Sequence, residues 1–314
     1  MIGGSNGVPV NENNHKLKME MPWVESPQFL TEIRSSDLPH RIKEIGINLA
    51  TDGYAVFDPK IENFEKNADG ILGDLSKKYD SSGRLTNAWE YCSAVKIFAL
   101  APQILTLIKT LYGRTPIPYQ TLNFNRGTEQ NTHSDVMHFN SVPSRFMCGV
   151  WIALEDIHEN NGPLHYFKGS HKLPMFMPED FAFDPSFSIH EKYVAYESFL
   201  KQYLATSGLL REEIVVKRGD AVIWASNLLH GGSVIKNKAL SRHTQVTHYF
   251  FEKCKYYAPI QSAPFSGHVQ FLHFKDISTG KKIAQRDLPL LNFNRLVTRS
   301  FFKKAMGRLR MRNY

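Results

Sequence analysis

Cysteine is scarce in this chain: three among 314 residues, Cys92, Cys148 and Cys254, with no paired spacing. That excludes a disulfide framework and a cysteine-ligated zinc site, and it suits a reducing, cytoplasmic setting. Long apolar runs are missing too. No stretch of about eighteen apolar residues occurs, so no transmembrane helix is expected. The opening MIGGSNGVPVNENNHKLKME lacks a basic start and a continuous apolar segment, which argues against a secretory signal and for a disordered polar tail over residues 1–22. Internal repeats and low-complexity linkers are absent. Acidic residues vanish from Arg295 to Tyr314, where seven basic residues account for all but one of the formal charges of +8. The body is therefore nearly neutral, and with no stacking motif beside the charge a nucleic-acid partner is not expected.

What is present is ordinary globular usage, 42% hydrophobic and 22% charged, in a chain long enough for one large domain. DGYAVFDPKI alternates like a strand. ENFEKNADGILGDLSKKY reads as a helix with Ile71, Leu72 and Leu75 inward, and APQILTLIKTLYGR as a second one stopped by Gly113. From about Pro118 the texture changes: YQTLNFNRG, RFMCGVWIALEDI, EIVVKRGDAVIWAS and SRHTQVTHYFFEKC are strand-like, separated by Gly, Asn and Pro turns. HEKYVAYESFLKQYLATSGL is an inserted helix ending near Gly208. Helices followed by many short strands predict an α+β domain built on an antiparallel sandwich or barrel, over residues 23–290, with an insertion at about 175–210 and a basic tail at 291–314.

The stretch NTHSDVMHFN holds two histidines and an aspartate within six residues, His133 to His138. On or beside a strand, side chains two apart share a face, so His133 and Asp135 project together. One further histidine would complete a 2-His-1-carboxylate face with open positions for O2 and a co-substrate on Fe(II). His138, three residues past Asp135, points the other way unless a bend follows Asp135. His230 in VIWASNLLHGGS is the better third ligand, ending an apolar strand before Gly231 and Gly232, where the backbone can turn tightly near a ligand. Twelve residues on, Arg242 is placed to clamp the far carboxylate of a dicarboxylate, and Thr244 shares its face.

These residues, with GVWIALEDIHENNGPLHYFKGSHKLP and RGDAVIWASNLLHGGS, resemble the phytanoyl-CoA dioxygenase family of Fe(II)- and 2-oxoglutarate-dependent oxygenases, from about Gly53 to about Phe251. The resemblance implies a double-stranded β-helix (jelly-roll, cupin-like) core with flanking helices. It implies His133, Asp135 and His230 as iron ligands and Arg242 as the anchor for the 2-oxoglutarate C5 carboxylate. Trp151 falls where the family has a tryptophan beside the co-substrate, and Gln120 and Asn123 are similar to polar residues that touch it. Fe(II), 2-oxoglutarate and O2 would then serve hydroxylation of a small organic or acyl substrate, with succinate and CO2 released. The alternative is a cupin-like metal-binding protein without this activity; Arg242 discriminates, since a binding module needs no dicarboxylate clamp.

Other features carry plainer readings beside sharper ones. His138 orients substrate or packs on Phe139. His165 and His171 are structural, Trp224 is core, and Cys148 is a small buried hydrophobe. The aromatic insertion from Met175 to Leu210 either covers the sandwich or acts as a lid. The tail places Phe301, Phe302, Ala305, Met306 and Leu309 at helical spacing between basic residues. Such a helix packs on its own domain more often than it lies on an anionic membrane surface or a partner.

Overall fold

Alternation along the strands sorts the chain into layers. The computed structural model describes residues 21–181, 184, 186–262 and 268–283; the expectations for the N-terminal tail up to Glu20 and for the basic C-terminal tail lie outside the described residues. The principal strands are β1 (Tyr54–Phe57), β2 (Arg84–Thr86), β3 (Pro116–Phe124), β4 (Asn140–Val142), β5 (Cys148–Ala153), β6 (Leu164–Phe167), β7 (Arg211–Ile214), β8 (Ala221–Ala225), β9 (His230–Gly232), β10 (Thr244–Phe251) and β11 (Lys255–Tyr257). Six of them form an antiparallel sheet in the order β1-β8-β5-β10-β3-β2, facing a smaller sheet β7-β6-β9 and the pair β11-β4. This is the jelly-roll sandwich.

The large sheet is buried on both faces, which is why its central strands read as continuous apolar runs. Val150, Ile152, Ile223 and Tyr249 point outward into a core shared with the helices. Their neighbours Trp151, Val222, Trp224 and Val246 point inward and meet Tyr166 and Ile214 of the small sheet. Fully burying one such aliphatic side chain stabilises the fold by about 1.5–3 kcal/mol.

The outer face is covered by α1 (Phe29–Ser35), α2 (His40–Asp52), α3 (Phe64–Leu75), α4 (Ser93–Ala99) and α5 (Pro102–Tyr112). In α3, Ile71 and Leu75 are buried and Leu72 is half-buried, as the periodicity predicts. Gly113 ends α5 in the left-handed conformation, its N–H bonded to the Lys109 carbonyl at 2.9 Å. Residues 93–112 match a membrane-crossing helix in length and composition. Leu100 and Ala101 break the segment into α4 and α5, and Val95, Phe98, Ile104, Ile108 and Leu111 are fully buried in the core. The inserted helix, α6 (Ile189–Ser207), starts on a Ser188–Glu191 capping box and stops at Gly208.

One strand differs from expectation. EIVVKRGDAVIWAS is two strands in two sheets, β7 and β8, because Gly219 takes φ +94° and turns the chain across the sandwich edge.

Candidate metal centre

The segment preceding Asp135 runs beside β9. His133 and His230 exchange both backbone hydrogen bonds, each at 2.9 Å, as an isolated antiparallel bridge. Side chains of a directly opposed pair lie together, and the two imidazole centroids are 4.5 Å apart. The chain then bends at once: Asp135–Met137 is one turn of 3-10 helix, and the N–H groups of His138 and Phe139 both donate to the Asp135 carbonyl at 2.9 Å. The bend corrects the parity argument for His138. Instead of facing away, it lines the same cavity as His133, Asp135 and His230.

Each ring nitrogen has a fixed task. His133 Nδ1 donates to the Asn131 carbonyl and His230 Nδ1 to the Leu228 carbonyl, both at 3.0 Å. A nitrogen that donates to a carbonyl carries the proton, so in the neutral form of either ring it is Nε2 that has the lone pair. The two Nε2 atoms lie 3.8 and 3.9 Å from Asp135 Oδ1. The ligand atoms of all three residues fall within 4.8 Å of one another, and all three residues are buried. Asp135 Oδ2 is held separately, accepting from Trp224 Nε1 at 2.7 Å. Burial, reinforced by His230, drives the His133 pKa down to about 3. Burial alone would raise the Asp135 pKa, but the imidazoles of His230, His248 and His133 and the Trp224 N–H outweigh it and hold the carboxyl below its ordinary range. A neutral His133 and a charged Asp135 are the protonation states that a divalent metal needs.

The cavity has a volume of about 470 Å³. Arg242 is on its wall, 1% exposed, and bonded through Nη1 to the Gly162 carbonyl at 2.7 Å, while its Nε has no partner. Burial lowers its pKa from 12.5 to about 10. A buried guanidinium this poorly paired is costly unless an anion joins it. Trp151 lines the cavity with an unpartnered Nε1, and the buried Thr244 Oγ1 is unpartnered as well. Gln120 lines the cavity but is engaged, its Oε1 accepting from His248 Nδ1 at 2.9 Å. Asn123 departs from expectation. Leu122 and Phe124 face the cavity, so strand alternation turns Asn123 to the helical side, where it reaches Gln245, itself bonded to the Val95 carbonyl. Gly231 and Gly232 differ too. They continue β9 without a turn, and their missing side chains admit the close approach of Thr128 to Gln130.

Several contributors were not singled out as such from the sequence. Trp224 is core by burial, yet it secures Asp135; alternation along AVIWA places it inward, but only the three-dimensional register reveals its partner. His248 has the strand parity of Arg242 six residues earlier, and its Nε2 lies 4.0 Å from Asp135 Oδ2. His165 sits on β6, with Nε2 2.8 Å from Thr132 Oγ1. The insertion reaches the site. Tyr193 of α6 lines the cavity, and the Tyr196 hydroxyl accepts from the Ser134 N–H at 2.9 Å, between the two candidate ligands.

Residues 62–244, more than half of the chain, match the phytanoyl-CoA dioxygenase (PhyH) family model. Among curated proteins, the peroxisomal phytanoyl-CoA dioxygenase of Rattus norvegicus is 24% identical over 222 residues, 67% of this chain and 55% of the relative. The Homo sapiens protein of the same name is 24% identical over 159 residues, 46% of this chain and 44% of the relative. The chain thus spans about half the length of the curated relatives it matches. Among solved structures, the non-heme α-ketoglutarate-dependent carbocyclase SnoK of nogalamycin biosynthesis aligns with a TM-score of 0.54 at 16% identity, over 75% of this chain and 94% of that one. The epimerase SnoN, solved with Fe3+, α-ketoglutarate and nogalamycin RO, gives 0.53 at 16% identity, over 75% and 96%. At that identity the two structures establish the shared fold.

Proposed function

The chain belongs to the phytanoyl-CoA dioxygenase family, and on that premise we propose that it is an Fe(II)- and 2-oxoglutarate-dependent dioxygenase that hydroxylates a small organic substrate. The observation that carries this reading is one cavity holding two elements together: three converging ligand atoms and the under-paired guanidinium of Arg242. His133 and His230, through Nε2, and Asp135, through Oδ1, would hold the iron. When bound, Fe(II) supplies the redox chemistry by which O2 converts 2-oxoglutarate to succinate and CO2 and oxidises the substrate.

The remaining work belongs to the chain. Arg242 receives the distal carboxylate of 2-oxoglutarate with its free donors, and Trp151 offers an indole N–H on the same cavity wall; Thr244, although its hydroxyl is unpartnered, is not among the residues lining the cavity. Trp224 keeps Asp135 from rotating, so Oδ1 stays directed at the imidazoles. Leu122, Phe124 and Val246 give the cavity an apolar wall that limits water around the reacting groups. The buried free thiols Cys92 and Cys148 suit the reducing compartment proposed for the protein.

The test is anaerobic titration with Fe(II), followed by succinate release from 2-oxoglutarate on admitting O2. One equivalent of iron per chain and succinate formation are expected even without substrate, and Asp135→Ala should lose both while still folding and unfolding cooperatively. Undiminished succinate release by Asp135→Ala would sink the ligand assignment.

A further inference from the structure

The cavity at the metal centre continues toward the sheet edge. There it adjoins an open groove of about 530 Å³, and the two share Arg84, Phe124, Thr128 and Gln130 as lining. Arg84 stands at the junction. It begins β2, the edge strand, opposite Phe124, and no carboxylate among the described residues pairs with its guanidinium. Its charge is felt across the cavity at His138 and His248. Arg126 and Lys238 line the groove from separate loops. The one carboxylate in that lining, Glu129, already accepts from the Ile235 N–H at 3.0 Å.

The positive charge is thus arranged at two depths. Arg242 is fully buried and, on the functional reading above, taken by the co-substrate. Arg84, Arg126 and Lys238 form an outer cationic rim on the groove, while the apolar Leu122 and Phe124 line the cavity that holds the metal ligands. A lone surface arginine is commonplace. Three cations around one groove that opens into the reaction cavity are a recognition feature, because a concave basic surface concentrates anions.

We propose that the substrate carries a negatively charged group, a phosphate or a carboxylate, which Arg84 receives together with Arg126 and Lys238 while the apolar remainder extends past Phe124 toward Asp135. This rests on reading the cavity as the reaction chamber. Arg84 lines both the groove and the reaction cavity, so its guanidinium, bidentate toward phosphate or carboxylate, is the principal contact, while Arg126 and Lys238, which line the groove alone, contribute at longer range.

The experiment is calorimetric titration of methyl phosphate and, separately, butyrate into Co(II)-loaded full-length protein without O2, at low salt, with and without saturating 2-oxoglutarate. At least one of the two anions should bind in the presence of 2-oxoglutarate, and the tighter one identifies the head group. Arg84→Gln should weaken that binding on the order of tenfold, the loss of one charge-assisted pair. Arg84→Lys should recover part of it, and added salt should weaken it in the wild type. The proposal is overturned if neither anion binds, if Arg84→Gln binds as well as the wild type, or if 2-oxoglutarate displaces the anion, which would seat it on Arg242. Anion binding that depends on Arg84 in a protein that does not bind 2-oxoglutarate would support the anion site and sink the oxygenase reading alone.

Discussion

At the residue scale, Asp135 and Arg242 place different demands on their surroundings. Asp135 divides its oxygens: Oδ1 faces two imidazole nitrogens and Oδ2 is tied to Trp224. A hydrogen bond to a charged group contributes about 1.5–3 kcal/mol. Trp224→Phe keeps the packing and removes that bond, so cobalt affinity should fall by about tenfold to a hundredfold, with the d–d spectrum reporting the altered geometry. Retained affinity and an unchanged spectrum would show that Asp135 needs no support. Arg242 has the opposite problem, being buried with donors left over. Removing a buried charge-assisted pair costs about 2–5 kcal/mol, so Arg242→Ala should raise the 2-oxoglutarate requirement by roughly a hundredfold. Arg242→Lys should rescue only part of that, since an ammonium cannot reproduce the planar fork. If both variants keep the wild-type dependence, the co-substrate is anchored elsewhere.

Elements transmit these demands across the sheet. Gly149 on β5 lies opposite Trp224 on β8, and a Cβ at that position would overlap the indole ring. Gly149→Ala should therefore cost about 1–3 kcal/mol in overpacking and also weaken metal binding as Trp224→Phe does, although residue 149 is not a ligand. Urea denaturation alongside cobalt titration checks this; a destabilised protein with full cobalt affinity would separate the two effects and refute the link. The same strand logic explains what was legible in the sequence. His133, Asp135, His230 and Arg242 could be picked out because each carries a rare chemical type at a spacing that alternation can interpret. The turns at Gly113 and Gly208 were legible because a left-handed backbone position selects glycine. Asn123 was misplaced by one step of that alternation, and His138 by a bend that begins at Asp135. Trp224 was hidden because tryptophan is at home in any core, and its polar contact is fixed by cross-sheet register rather than by local pattern.

For the molecule as a whole, buried histidines set the acid limit. His171 is 2% exposed; its Nε2 donates to the Ala50 carbonyl at 3.2 Å, and its Nδ1 has no partner. Burial lowers its pKa from 6.5 to about 4. The folded state therefore favours the neutral ring. The stabilisation is complete above pH 6.5 and is lost as pH falls toward 4, where the unfolded chain binds the proton first. Its ceiling is about 3 kcal/mol at roughly 1.4 kcal/mol per pH unit. The urea midpoint of the metal-free protein should fall over that interval, and His171→Gln, which keeps a donor for Ala50 but cannot titrate, should fall less. An equally steep decline in the variant would assign acid sensitivity to other groups. The backbone bridge between His133 and His230 bears on the order of assembly. Because the two residues exchange both N–H···O=C bonds with each other, the spacing of the imidazoles is set by the polypeptide, before any ion arrives. The site is preorganised, so iron uptake should resemble docking into a finished receptacle rather than the nucleation of a fold. Amide deuterium exchange provides the measure: in metal-free protein the His133 and His230 amides should already exchange as slowly as those at the centre of β10, and added metal should slow them little further. Rapid exchange that only metal suppresses would mean that the ion builds its own site.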